Sequence, residues 1–489
     1  MRRDWSADGN GKLTDMFRFL RRHILLTKPG TGPLKRFISI STMLMIVIVL
    51  SGCIQSTVEV HAPTATSVEI LQFSATPTSV KEVELPTVTP IPATKLPTET
   101  PTSTPAPASP TPLPATATPQ NVSASICSTG CDFTTIQTAL DHRDTLDDAV
   151  LEVRDPIHVE AGIVVDRDVT IRGLGSEQTI VQAAEDLEQA PDRVFLINRG
   201  ASVTLSNMTI QHGKPVVEDE CGGGIMNFGT LVVDKSTITD NTANGGAGIC
   251  NSGVLTVKNS SIHHNNAHEK GPPNMECGSG AGIKSGGESL IMIHTTVHNN
   301  QTSNGNLGRN RGGGVLVGCA CTATISNSTI SNNKAGAEGG GIYVAGSLSM
   351  VNVTISNNTA RGAGGGIIVL GRMSYQNTII AKNRGKGGNC VLGRPNSIDR
   401  KGEIEENNYN LVSDGTCSPD YSGDPLLDSL SNNGGDTLTQ ALLPGSPAID
   451  GVPLTNCILQ TDQRGEPRAV ISTTADTLCD IGAFEVQNH

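Results

Sequence analysis

The chain has 489 residues, 54 of them Gly and only 3 % aromatic, which disfavours a helical bundle around an aromatic core and favours many short strands joined by tight turns. Its formal charge is −12, but residues 1–52 hold nine Lys or Arg and three Asp or Glu, leaving 26 basic against 44 acidic groups, a balance of −18. Phosphate backbones and anionic lipids repel a surface of that sign, which argues against nucleic-acid binding.

The first element is a targeting segment. Arg18, Arg21, Arg22, Lys28, Lys35 and Arg36 form a long basic region ahead of an apolar run, Phe37 to Leu50. That run is too short to span a bilayer comfortably as a helix and ends in Leu50-Ser51-Gly52-Cys53. The last four residues resemble a bacterial lipobox, a likeness that implies cleavage before Cys53 and acylation of its thiol. Residues 1–52 then read as a lipoprotein signal peptide, with Met16 as an alternative start.

Residues 53–120 are dominated by Thr, Pro, Ser, Ala and Val, as in "LPTETPTSTPAPASPTPLPATATPQ". Such a composition cannot bury a core, and its prolines favour extended polyproline II, so the segment reads as a disordered stalk. About 65 residues at about 3.1 Å each reach at most roughly 200 Å.

Folded sequence begins near Ser125. "FTTIQTALD" (Phe133 to Asp141) predicts a short amphipathic helix, and "IVVDRDVTIRGLG" (Ile163 to Gly175) alternates with period two before a Gly turn. Internal repeats follow. Ile210, Ile238, Ile262, Val297, Ile330, Ile355 and Ile380 are equivalent anchors at intervals of 28, 24, 35, 33, 25 and 25 residues. Apolar residues recur seven and five positions before each anchor, which is one face of a strand. A second anchor follows each Gly cluster: Ile225, Ile249, Ile283, Val315, Ile342 and Ile367. Each unit therefore carries two strand segments and a third short one. A β-rich period near 25 residues marks a solenoid of parallel strands whose inward side chains form ladders.

The polar residues of the repeat read as architecture. Asn241, Asn265, Asn300, Asn333, Asn358 and Asn383 stand three positions after their anchors. Asn207, Asn259, Asn327, Asn352 and Asn377 stand three before, with Lys235 and His294 breaking that series. Stacked Asn amides can bond coil to coil, and Asn tolerates the left-handed conformation of tight corners. Recurring clusters such as "GAEGGG" fit corners with no room for Cβ better than phosphate binding, since neither a Lys-Ser/Thr pair nor a helix follows.

This pattern resembles the right-handed parallel β-helix of the pectate-lyase-like superfamily, an all-β fold, over residues 121–420. "DPLLDSLSNNGGDTLTQALLPGSPAID" (Asp424 to Asp450), "TDQRGEPR" (Thr461 to Arg468) and "CDIGAFE" (Cys479 to Glu485) resemble the choice-of-anchor Q domain of bacterial extracellular β-helix proteins. That likeness implies a C-terminal module at 421–489 and a surface or secreted location, and it implies no activity.

Twelve cysteines fit an oxidising compartment. With Cys53 acylated, eleven remain, so at least one is free or paired between chains. Close spacing suggests Cys127 with Cys131, Cys457 and Cys479 would pair within one C-terminal module, and Cys390 with Cys417 is a third candidate pair, while Cys221, Cys250, Cys277, Cys319 and Cys321 are unassigned. No paired Cys-x-x-Cys pattern marks a zinc site, and no cofactor or metal is expected.

The repeats contain none of the Asn-Thr-Asp, Asp-Asp, Gly-His-Gly or Arg-Ile-Lys signatures of polygalacturonase-type glycosidases, and Asp147-Asp148 reads as a solvated turn. His263 and His298 share a repeat position one past the anchor on adjacent coils, which predicts side-by-side imidazoles on the outer surface. The longer insertions are the candidate binding face: one holds Glu218, Asp219 and Glu220, another His268 and Glu269, and a third runs through Gly308 to Arg311 with the cations Arg309 and Arg311. The expectation is a lipid-anchored bacterial surface protein with a binding, adhesion or structural role, whose partners are the membrane and surface glycans. The alternative is a polysaccharide lyase or glycoside hydrolase on the same fold.

Overall fold

The structure, a computed structural model, describes residues 124–217, 220–268, 279–303, 310–394, 401–468 and 478–487. The signal segment, Cys53, the stalk, Cys277, Glu218, Asp219, Glu269, Gly308 and Arg309 lie outside the described residues.

One coil shows how the sequence becomes a solenoid. Four strand pieces follow one another: Ile225–Asn227, Thr230–Asp234, Thr237–Thr239 and Thr242–Ala243. Each pairs in parallel with its counterpart one coil on, at Ile249–Asn251, Val254–Lys258, Ser261–His263 and Asn266–Ala267. Sequence reasoning expected three pieces. The extra one arises because the run bearing the first anchor is bent in two by a left-handed residue, such as Lys235 (φ 46°) or Asn259 (φ 50°). First pieces form a 9-stranded sheet, second and third pieces a 19-stranded sheet, and fourth pieces a 6-stranded sheet among the described residues. The result is a right-handed parallel β-helix.

The anchors fall in register. Ile210, Ile238, Ile262, Val297, Ile330, Ile355 and Ile380 are direct coil-to-coil partners, and the row runs on to Val181 and Val412. All seven are fully buried, as are the second anchors from Ile225 to Ile367. One apolar core therefore runs from Ala124 to Val412, with each buried aliphatic side chain contributing about 1.5–3 kcal/mol. A short helix, Ile136–Asp141, buries Ile136, Ala139 and Leu140 against the first coils. It starts at Thr135, whose hydroxyl accepts from Thr138 N, while the Glu160 carboxylate accepts from Ile136 N and Gln137 N.

The two Asn series divide their tasks. The series three before the anchor adopts the left-handed conformation, as at Asn207 (φ 55°) and Asn377 (φ 50°). A second left-handed row sits one residue before each ladder Asn, including Asp240, His264, Asn332 and Asn357. The Asn residues three after the anchor are not strained and form an internal ladder instead. Asn241, Asn265, Asn300, Asn333 and Asn358 each donate Nδ2 to Oδ1 of the next, ending at Asn383, at 3.0 Å throughout. Asn383 continues the run to Asn389 Oδ1 at 3.0 Å. Each Nδ2 also donates to an anchor carbonyl of the preceding coil, as Asn333 does to Val297 O (2.9 Å). Each Oδ1 from Asn265 onward also accepts the backbone N–H of the preceding rung, as Asn333 Oδ1 does from Asn300 N (3.0 Å). The Gly clusters follow from this. A Cβ on Gly341 would stand 2.7 Å from Gly366 O and 3.0 Å from Asn358 Nδ2, and Gly339 adopts φ 67°.

The C-terminal segment, expected as a separate module over 421–489, lies along the outer face of the third strand pieces. Its regular structure is slight, with Val452–Pro453 antiparallel to Leu478–Cys479. Where most coils present Thr or Ser outward, the coil at Ile379–Ala381 presents Ile379 and Ala381, and these pack with Leu427, Leu442, Val452 and Ile481. Arg468, buried at 5 % exposure, fastens the segment to the solenoid. Its guanidinium donates to Thr461 O, Asp480 O, Gly482 O, the Glu485 carboxylate and Asn327 Oδ1, so every N–H has an acceptor.

Candidate functional site

The third strand pieces alternate one inward anchor with two outward residues. The outward residue before the anchor is Thr209, Thr237, Ser261, Thr296, Thr329 and Thr354 on successive coils, a row of hydroxyls parallel to the solenoid axis. The residue after the anchor is Thr239, His263, His298, Ser331 and Ser356. From Thr296 onward the hydroxyl row is covered by the C-terminal segment. Thr296 Oγ1 donates to Leu438 O (2.6 Å), Thr329 Oγ1 to Gln463 Oε1 (2.7 Å), and Ala483 N donates to Thr354 Oγ1 (3.0 Å).

Over the preceding coils the face is open and forms a groove of about 390 Å³. Its floor is Thr209, Thr237, Ser261, His263 and His298. Its walls are Ser176 and Glu177 from the turn before the third-piece strand Ile180–Gln182, and Asn432 to Leu438 from the C-terminal segment. Thr209 Oγ1 donates to Ser176 O (2.6 Å), and Lys235 Nζ lies 3.4 Å from Asp436 Oδ2, which seats both walls on the floor. A smaller polar cleft sharing Ser176, Thr237, Ser261 and Asp436 continues it over Asn207, Lys235 and Asn259.

His263 and His298 stand side by side, ring centroids 4.7 Å apart and nearly parallel, with His264 edge-on to His263 at 4.9 Å. Burial, then the neighbouring imidazoles, push His298 down to about 3; burial, then His264, push His263 down to about 4, against the pull of Asp240. Both are neutral at pH 7. Sequence reasoning placed them on a bare surface, and His298 proves buried, at 6 % exposure, because the C-terminal segment and the adjacent coils cover it. Among the described residues, no group of three or more His, Cys, Asp or Glu is placed to hold a metal.

The insertions expected to form a binding face lie ahead of the first pieces, after the strands that end at Gln211, Ala267 and Thr302, and so at a different corner from the groove. Glu220 and His268 do converge, on a separate cleft of about 360 Å³ with Lys214, Val217, Thr242 and Asn244. Glu220 is engaged structurally, paired with the buried Arg193, which also donates to Cys221 O (3.1 Å). A Cys221–Cys250 disulfide pins that loop. Arg311 is buried at 8 % exposure, with Nε 3.4 Å from Glu338 Oε2 and its guanidinium over Tyr343 at 5.2 Å. Arg394 shares both partners, so this cluster is packing on the outer sheet face. The structure also joins Cys127 to Cys131, Cys390 to Cys417 and Cys457 to Cys479. The groove itself was missed, although the hydroxyl before each anchor was a readable signal. Its walls come from sequence with no repeat.

A family comparison agrees with the architecture. The family described as "Right handed beta helix region" matches residues 193–384. Among solved structures, the chain is similar to pectate lyase Pel9A at 11 % identity, covering 70 % of this chain and 89 % of that one, with a TM-score of 0.39. It is also similar to pectin methylesterase PemA from Erwinia chrysanthemi, at 10 % identity, 62 % and 93 % coverage and a TM-score of 0.32. No curated protein sequence matches the chain.

Proposed function

We propose that this protein is a lipid-anchored bacterial surface protein whose β-helix binds carbohydrate in the groove without transforming it. The lipobox-like Leu50–Cys53 and the Pro/Thr-rich stalk support tethering at the membrane with the folded part held away from it. One observation carries the binding role: hydroxyls aligned along the solenoid axis, about 4.8 Å apart, on the floor of an open groove. That spacing is close to the advance of one sugar ring in a chain. Thr, Ser, Asn and neutral His side chains supply both donors and acceptors, which suits a ligand covered in hydroxyls. The groove's described lining residues include no Phe, Tyr or Trp, so recognition rests mainly on hydrogen bonds.

The test is calorimetric titration of the full chain against a panel of oligosaccharides. Ser261→Trp should fill the groove and weaken binding by about tenfold or more. Thr256→Trp, on the neighbouring strand face, should leave it unchanged. Failure of every oligosaccharide to bind refutes the reading, and release of shortened products would replace it with an enzymatic one. Cys53→Ser should abolish incorporation of labelled fatty acid; retained labelling would contradict the anchor.

A further inference from the structure

The groove does not run the length of the solenoid. Its hydroxyl row continues under the C-terminal segment, which occupies the row as a ligand would. Thr296 is fully buried there, giving its proton to Leu438 O and accepting from Gln463 Nε2 (2.9 Å). Gln463 is itself 2 % exposed and donates also to Thr437 Oγ1 (2.9 Å), so this end is closed by a fully bonded plug. At the other end Ser176 O sits on the Thr209 hydroxyl, and Thr209 is 8 % exposed. The turn from Asn432 to Asp436 lies along one long side, tied by Lys235. Lining residues thus close both ends of the row, while the groove opens past His263, beside the exposed His264, and leads on the other side into the smaller cleft over Asn207, Lys235 and Asn259. From Thr209 to Thr296 is three coil steps, roughly 14 Å.

We infer that the groove is an end-stopped site that takes the terminal two or three units of a neutral sugar chain, not an internal stretch of a polymer. This rests on the carbohydrate-binding reading above and adds which part of the chain binds and which charge it carries. A chain running along the hydroxyl row would collide with Leu438 in one direction and Ser176 in the other, so a chain that follows the row must end inside. The neutrality follows from the walls. Glu177 and Asp436 are carboxylates, Lys235 is engaged by Asp436, and the two floor imidazoles carry no charge at pH 7. An acidic sugar would meet repulsion with no free cation among the groove's lining residues to offset it.

The experiment is a length series on the full chain: linear neutral oligosaccharides from monosaccharide to hexasaccharide, their cyclic counterparts, and an oligouronide series. Affinity should rise only to about three units and then stay level. Cyclic chains and oligouronides should bind about tenfold more weakly or worse. Ser261→Trp should remove the length-dependent part. Affinity that keeps rising to the hexasaccharide, or equal binding of cyclic chains, overturns the end-stop while leaving the groove as a carbohydrate site. Preferred binding of oligouronides overturns the neutral specificity. Absence of binding throughout removes both this inference and the reading it rests on.

Discussion

At the scale of single residues, the repeat owes its identity to side chains that look functional and serve the backbone. Asn333 accepts from Asn300 Nδ2 and Asn300 N and donates to Asn358 Oδ1 and Val297 O. Leu at that position would leave those groups buried and unpartnered at about 1–3 kcal/mol each, softened by local relaxation. Asn333→Leu should therefore lower unfolding stability by about 3 kcal/mol or more in urea, and an unchanged midpoint would refute the ladder as a stabilising device. Titration gives a second test. His298 and His263 have folded values depressed to about 3 and about 4 from 6.5, so the unfolded chain takes their protons first as the medium acidifies. Their contribution is complete above pH 6.5 and declines as pH falls toward those values. Asp480, raised by burial from 3.8 to about 6, acts with the opposite sign: the folded state takes its proton first, so its contribution grows as pH falls from about 6 toward 4. His298→Ser, which installs the residue of the next coil, should flatten the loss of thermal stability between pH 6.5 and 4. An acid limb as steep as the parent's would contradict the burial of that imidazole.

At the scale of elements, the coils and the C-terminal segment differ in how far they could be read. Anchor positions, the two Asn series and the Gly corners recur coil after coil, so each one checks the others, and the inward face was legible in the sequence. The split of each long run into two strands was not, because it turns on which of two neighbouring polar residues goes left-handed. Ile379 and Ala381 stood out as apolar where Thr or Ser was the rule, but nothing local says what covers them. The segment that does so is held by Arg468 and its five acceptors. Removing that cation strands the buried Glu485 and Asp480, a loss of about 3–5 kcal/mol for a broken buried pair. Arg468→Met should expose the segment to protease and to hydrogen exchange while the coils before Ser261 stay protected. Uniform loss of protection along the whole chain would show that the segment and solenoid are one cooperative unit.

At the scale of the whole molecule, the stack is quasi-one-dimensional: each coil contacts its neighbours, and function concentrates where that regularity is interrupted. The insertions were one such interruption, and they make a cleft at Lys214, Glu220 and His268. The other is the return of the C-terminal segment, a contact between residues more than 130 positions apart, such as Thr329 and Gln463, that no repeat announces. It turns a continuous polar face into a groove with a floor, a side and two ends. Hydrogen exchange on the full chain, with and without a saturating neutral trisaccharide, separates the two interruptions most directly. The groove account predicts new protection in peptides spanning Ser176–Glu177, Thr237, Ser261–His263 and Asn432–Leu438. Protection confined to the loops around Lys214, Glu220 and His268, with the groove unchanged, would contradict it.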